Sequence, residues 1–231
     1  MQQAIIATVD VVLFSVQQGQ LQVLLIQRSN PPAEGRRALP GGFVYSDGDS
    51  DLLQAAKRVI GLKTGIDPPY LEQVASVGNA ERDPRGWSIT ILYFALMSPE
   101  QSARFAEDAS LGSESWAWVP VDQAQKDQEL AFDHVQLIRQ ARLRLKSKAS
   151  YSSLAFMLMP ASFTLNELQE IYELLTGQRL DKKAFRRRLL SSRLLEETGA
   201  MRAGKTRTSK LYRLISKELT WFERSTVGRR K

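Results

Sequence analysis

The sequence specifies two unlike domains in tandem, a mixed α/β domain over residues 1–148 and a smaller, mainly helical domain over residues 149–231. Three observations carry this. Apolar, β-branched runs alternate with amphipathic helical segments in the first part, whereas capped helices dominate the second. The stretch Ser147–Ser153 (Ser-Lys-Ala-Ser-Tyr-Ser-Ser) is small and polar, as a seam requires. The charge balance changes there too. Residues 1–150 carry 15 Lys+Arg against 17 Asp+Glu, while residues 151–231 carry 17 against 8. The overall charge of +7 is therefore −2 in the first part and +9 in the second. On that division only the second part faces a polyanion. A basic tail that merely aids solubility is the plainer account, but the arginines are spaced among apolar residues rather than run together.

Taken in order, Ile5 to Val16 is a mostly buried strand, and Gln17-Gln18-Gly19-Gln20 turns the chain into a return strand, Leu21 to Gln27. A loop with Pro31, Pro32 and Gly35 leads to Leu39-Pro40-Gly41-Gly42-Phe43. The spacing of Leu52, Ala55, Ala56, Val59, Ile60 and Lys63 predicts an amphipathic helix that Thr64-Gly65 ends. Trp87 to Met97 and Trp116 to Val119 read as strands, and His134 to Lys148 as a basic helix. Beyond the seam, Thr164-Leu165-Asn166-Glu167 fits a capping box. Leu165, Leu168, Ile171, Tyr172 and Leu175 form the stripe of that helix, and Gly177 closes it. Asp181 caps a second helix, Lys182 to Leu190, with Phe185 and Leu189 inward. Met201 to Arg213 then reads as strand, turn around Ala203-Gly204-Lys205, and strand.

Composition narrows the chemistry. The chain of 231 residues has no cysteine and a single histidine, His134. That removes disulfide scaffolds, Cys/His zinc sites, iron–sulfur clusters and cysteine nucleophiles. No apolar run approaches the roughly 20 residues that span a bilayer. Met1-Gln2-Gln3 lacks the basic start of a signal peptide, so a soluble, cytoplasmic protein without a membrane partner is expected.

The basic part has the plan of a winged helix-turn-helix: a capped helix, a short turn, a second helix beginning Lys182-Lys183, and a basic hairpin. Lys182 and Arg186 lie four apart, as do Lys183 and Arg187, so they line one exposed face. With Arg188 they form the expected reading head for double-stranded DNA, at least one arginine turning toward the protein or a phosphate. Arg202, Lys205, Arg207 and Lys210 make the wing, which reaches phosphates or the minor groove. A solvated basic face on an unrelated helical domain is the alternative.

Leu39–Phe43, Arg58 and Gly65-Ile66 together resemble the Nudix motif, in which a helix presents carboxylates on successive turns to hold Mg²⁺. The match has a defect. Anchored on Gly65-Ile66, the motif's arginine is Arg58, but its three helical carboxylates fall on Val59, Leu62 and Lys63. Gly41 to Gly65 also spans 24 positions where the motif has 21. The extra loop holds Asp47, Asp49 and Asp51, which can attract a cation only weakly. A Nudix fold with a degraded catalytic box, no metal and no required cofactor is the expectation. Both parts together resemble the NrtR-like Nudix-related transcriptional regulators. This rests further on Gly78-Asn79, Arg82 to Ser88, Leu130 to His134 and Phe185 to Arg188.

The resemblance implies a ligand-responsive regulator, a repressor of NAD metabolism genes released from its operator by ADP-ribose or a related nucleotide. Some relatives sense sugars instead. Without metal, basic side chains must neutralise a diphosphate, which selects Arg28, Arg58 and Arg85, with Phe43 and Trp87 as stacking surfaces. Arg58 either contacts a diphosphate or pairs with a loop aspartate. Trp87 is either strand core or a platform for an adenine ring. His134 is a structural hydrogen-bonder that Asp133 or Asp127 can orient, so no catalytic residue is expected. One winged helix has a small footprint, so a homodimer on an inverted repeat follows. The competing reading is a Nudix-type hydrolase that draws on the loop aspartates with Glu81 or Glu114, its basic domain an accessory. A nonspecific nucleic-acid-binding module is the third.

Overall fold

The computed structural model describes residues 4–107, 114–203, 208–216 and 218–222. Strands β1 (Ile6–Gln17) and β2 (Gln20–Gln27) form a hairpin whose turn residues, Gln18 and Gly19, both have positive φ. With β3 (Arg37–Ala38), β4 (Gly41–Phe43), β5 (Tyr70–Asn79), β6 (Ser88–Leu96) and β7 (Trp116–Pro120) they make a seven-stranded sheet. Its main path is β3-β2-β1-β6-β5, with β4 also on β1 and β7 on β2. The β1–β6 pair is parallel and every other pair antiparallel, so the sheet is mixed. Midway along, β1 changes partner. Phe14–Gln17 pair with β2, but Thr8–Asp10 pair with Gly41–Phe43, which brings the Gly-Gly turn onto the middle of the sheet.

Successive strand side chains point to opposite faces, and each face has its own cover. Val9, Val11 and Leu13 pack under helix α1 (Leu52–Thr64), against Ala55, Ala56, Val59 and Ile60. Asp51 caps α1, and Gly65 ends it with φ 72°, a left-handed conformation that suits glycine. Val12, Phe14 and Val16 face the other way. There the chain continues through α2 (Pro99–Glu107), α3 (Val121–Ala124) and α4 (His134–Ala149). After a 3₁₀ helix, Ser153–Leu158, come α5 (Leu165–Thr176), α6 (Lys182–Ser191) and the hairpin of β8 (Leu195–Ala203) and β9 (Thr208–Leu214). The capping box at Thr164 and Glu167 is formed in both directions, and Gly177 closes α5 with φ 68°.

The sequence reading omits β3, β4, β5, α2, α3 and the 3₁₀ helix, and it starts β8 too late. Strand β5 is bulged between Gln73 and Ala75, which breaks the two-residue alternation. Strand β8 starts at Leu195, six residues before the expected Met201. All of β8 but the half-buried Leu195 is exposed, so no alternation of burial patterns it. The 3₁₀ helix is short and buried throughout. It lies in a core that runs unbroken from Phe94 on the sheet through Leu137 and Leu145 of α4, then Leu154 and Phe156, to Tyr172, Phe185 and Leu189. The serines around Ser147–Ser153 belong to that junction: Ser152 is buried, its hydroxyl donating to the Lys148 carbonyl.

Candidate functional site: a cationic cavity and a basic reading face

The partner change in β1 opens a cavity of about 420 Å³ between the sheet, the N-terminal end of α4 and the loop before α1. Four of the five expected ligand residues, Arg28, Phe43, Arg58 and Arg85, line it. Trp87 does not. Its indole lies beside Gly78, where a Cβ would come within 3.0 Å of the ring, and it is half-exposed at the head of β6.

The arginines are held in different ways. Arg58 forms a forked pair with Asp49, Nε to Oδ1 at 2.6 Å and Nη2 to Oδ2 at 2.8 Å, and also donates to the Phe43 carbonyl. Its guanidinium sits 4.6 Å from the Tyr45 ring centroid. This pairing holds the Asp49 carboxyl down at about 2, and Asp49 in turn accepts from the Tyr45 amide. The three residues in excess of the motif are thus folded into a turn that Asp49 closes. Arg85 forks onto Asp83, which raises the guanidinium pKa and lowers that of the carboxyl, and lies 5.0 Å from the Phe43 ring centroid. Arg28 donates to the carbonyls of Pro32 and Asn30, 4.9 Å from the Phe132 ring centroid, and burial lowers its pKa. It is the arginine of the three whose hydrogen bonds all go to neutral groups.

The cavity floor holds residues that were not chosen as ligand contacts. Arg82 is buried and forks onto Asp133 at 3.1 Å for both bonds, with Asp10 at 3.4 Å. His134 Nδ1 accepts from the Leu39 amide at 2.9 Å, which leaves the proton on Nε2, 3.6 Å from Asp10 Oδ1. An Nδ1 that accepts a hydrogen bond carries no proton, and burial lowers the His134 pKa in the same sense. Neither expected partner orients this ring: Asp133 is taken by Arg82, and Asp127 by Arg37. Asp10 explains Gly41, because a Cβ there would lie 2.0 Å from Asp10 Oδ1. One signal for this floor stands in the sequence, a lone aspartate inside the buried run Val9-Asp10-Val11.

The donor set does not fit a Mg²⁺ site on α1. Val59 is buried against Gly42, and Lys63 donates to Glu114 at 2.5 Å. Asp49 is committed to Arg58, and Asp51 to the Gln54 amide. Among the described residues, no group of three His, Asp or Glu side chains is placed to hold a metal ion.

In the basic domain, Phe185 and Leu189 are buried, while Lys182, Lys183, Arg186 and Arg187 are exposed and Arg188 is half-buried. Lys182 and Arg186 line a cleft of about 240 Å³ against Thr208, Lys210 and Tyr212 of β9. Arg202 turns back onto Glu167 at 2.5 Å and the Ser162 carbonyl at 3.2 Å, and Lys210 pairs with Glu197. Exposed pairs of this kind are weak, so a phosphate can displace them. Lys205 and Arg207 lie outside the described residues. Among the described residues no helix is long and apolar enough to cross a membrane.

Both parts of the chain are similar to known proteins. Residues 6–141 match the Nudix domain family, and residues 155–214 match the NrtR DNA-binding winged helix domain. The ADPR responsive transcriptional repressor NtrR of Acinetobacter baylyi is 52% identical over 206 residues, 89% of this chain and 80% of the relative. Shewanella oneidensis NrtR, solved in complex with a 27mer DNA, superposes with a TM-score of 0.83 at 41% identity, covering 95% of this chain and 98% of that one. The Nudix domain of the same protein, solved with ADP ribose, is 44% identical with a TM-score of 0.54 over 62% of this chain and 90% of that one. A Nudix domain and an NrtR winged helix follow one another along a single chain, as they do in these relatives, and the chain belongs to the NrtR family of Nudix-related transcriptional regulators.

Proposed function

We propose that this protein is an ADP-ribose-responsive repressor of NAD metabolism genes, with residues 1–148 as the sensing domain and residues 149–231 as the DNA-binding domain. It binds an inverted-repeat operator as a homodimer and leaves it when ADP-ribose or a related nucleotide fills the sensing cavity. The observation that carries this reading is the cavity wall. Arginines 28, 58 and 85 line it, while the carboxylate positions of α1 hold Val59, Leu62 and Lys63. Fixed guanidinium groups suit the binding of a diphosphate, whereas hydrolysis in a Nudix site calls for metal-bound water. The protein acts as a sensor without hydrolase activity and requires no cofactor. Arg28, Phe43, Arg58 and Arg85 contact the nucleotide. Trp87, outside the cavity lining, adds a stacking surface only if the ligand reaches beyond it.

Lys182, Lys183, Arg186, Arg187 and Arg188 read the DNA, while Arg202, Lys205 and Arg207 hold its backbone. The test is a titration of operator DNA and ADP-ribose together, with Mg²⁺ or Mn²⁺ present in a parallel turnover assay. Operator affinity is expected to fall as ADP-ribose rises, with no turnover. Arg186→Ala and Arg187→Ala are each expected to cost about 1–3 kcal/mol on the operator if they read bases. Metal-dependent hydrolysis that disappears in Asp49→Asn would replace the sensor by an enzyme. Equal affinity for operator and random duplex would leave a nonspecific binder.

A further inference from the structure

A half-buried guanidinium joins the sensing half to the DNA-binding half. Arg142 stands eight residues past His134 on α4. Its Nη1 donates to the Leu175 carbonyl at 2.8 Å and its Nη2 to the Leu174 carbonyl at 3.0 Å. The last four carbonyls of a helix have no partner within it. At the end of α5 the Gly177 amide takes Glu173, and Arg142 takes the next two. A cation at a helix C-terminus is also favoured by the helix dipole. Both of these bonds go to neutral groups, and burial lowers the Arg142 pKa.

The elements on either side of this joint lead in opposite directions. Helix α4 has 16 residues, about 24 Å of continuous rod. Its start is cavity wall: Asp133 holds Arg82, and the His134 ring holds the Leu39 amide. Helix α5 leads to the reading surface. Tyr172 packs edge-on against Phe185 of α6 at 5.4 Å, and Glu167 pairs with Arg202 of the wing. A displacement at Arg82 or His134 therefore has a packed route to both α6 and β8.

We propose that α4 transmits cavity occupancy to the winged helix and that Arg142 is the positioning residue that makes α5 follow it. This rests on the effector-responsive reading above. The forked bond fixes direction as well as distance, which a single hydrogen bond does not.

The experiment is calorimetry of ADP-ribose with the full-length protein, free and operator-bound, for wild type, Arg142→Met and Arg142→Lys. In the wild type, operator is expected to weaken ADP-ribose binding by about 5–150-fold, the usual span of coupling between sites. Arg142→Met keeps the apolar length and removes every donor, and its ratio is expected to fall below about twofold. Each ligand alone should still bind within about threefold of wild type, since Arg142 touches neither surface. Arg142→Lys keeps the charge without the fork and should give an intermediate ratio. A merely structural arginine would lower the melting temperature and leave the ratio unchanged, and that result overturns the proposal. If both variants fail to fold, hydrogen exchange on the wild type decides. Nucleotide that releases the operator without altering exchange at Leu174–Gly177 overturns the joint, whereas altered exchange there supports it. A wild type that shows no coupling refutes the effector reading and this inference with it, an outcome distinct from coupling that survives Arg142→Met.

Discussion

His134 shows how one side chain sets the condition of the cavity. Its Nδ1 is committed to the Leu39 amide, and burial holds its pKa below the ordinary value. An unfolded chain has its histidine near pH 6.5, so below that pH it takes up a proton that the native ring refuses. Stability is therefore full above about pH 6.5 and declines as pH falls toward the lower native value. Protonation at Nδ1 would also cost the bond to Leu39. Denaturant midpoints are expected to drop as pH falls from about 7.5 to 5.5. His134→Asn retains an acceptor for Leu39 without a titrating ring and should show a smaller drop. An equal drop in the variant would assign the pH dependence to other groups.

At the scale of the elements, α5 ties together α4, α6 and the wing. Its cap does two jobs at once: the Thr164 hydroxyl accepts from the Glu167 amide, while Glu167 accepts from the Thr164 amide with one oxygen and from Arg202 with the other. Thr164→Ala is expected to lower stability by about 1 kcal/mol. The Glu167 carboxylate keeps the Thr164 backbone amide in that variant, so Arg202 stays placed and salt-sensitive DNA affinity should change little. Thermal unfolding and a salt titration of operator binding report the two effects separately. Helix α1 is a contrasting element, one that keeps its caps without carboxylates at residues 59, 62 and 63. Asp51 and Gly65 still cap it, but Val59 is now core, and Lys63 has found Glu114 on the segment leading into β7.

At the scale of the molecule, a single apolar core joins the sheet to the reading helix, so the winged helix is seated on the sensing domain rather than tethered to it. Such a seat lets a small displacement at the cavity become a change in the position of α6. It acts on DNA only if two reading helices must meet a fixed spacing. Light scattering is expected to give twice the 26.0 kDa chain mass, with two chains on each operator. Half-sites should lie about 34 Å apart, or a multiple of that. A monomer bound one-to-one would remove the spacing device and leave direct occlusion as the route to release.

How much of this was legible before the fold depends on the range of the interaction. The helix caps, the turns, the two-domain layout and the loss of helical carboxylates are local patterns, and Thr164, Asp181, Gly65 and Val59 showed them in the sequence. Charge asymmetry is additive, so the basic reading domain needed no coordinates. Pairings between distant segments follow no local rule. Arg82 with Asp133, Lys63 with Glu114 and Arg142 with the end of α5 are 51, 51 and 32 residues apart or more. Folding alone brought them together, because packing two faces of a sheet decides which side chains meet. The same holds for Trp87, which β6 pairing places beside Gly78 rather than in the cavity. Residue types and their spacing chose the cations. Whether each pairs with a carboxylate or with backbone carbonyls was settled by what packed against it.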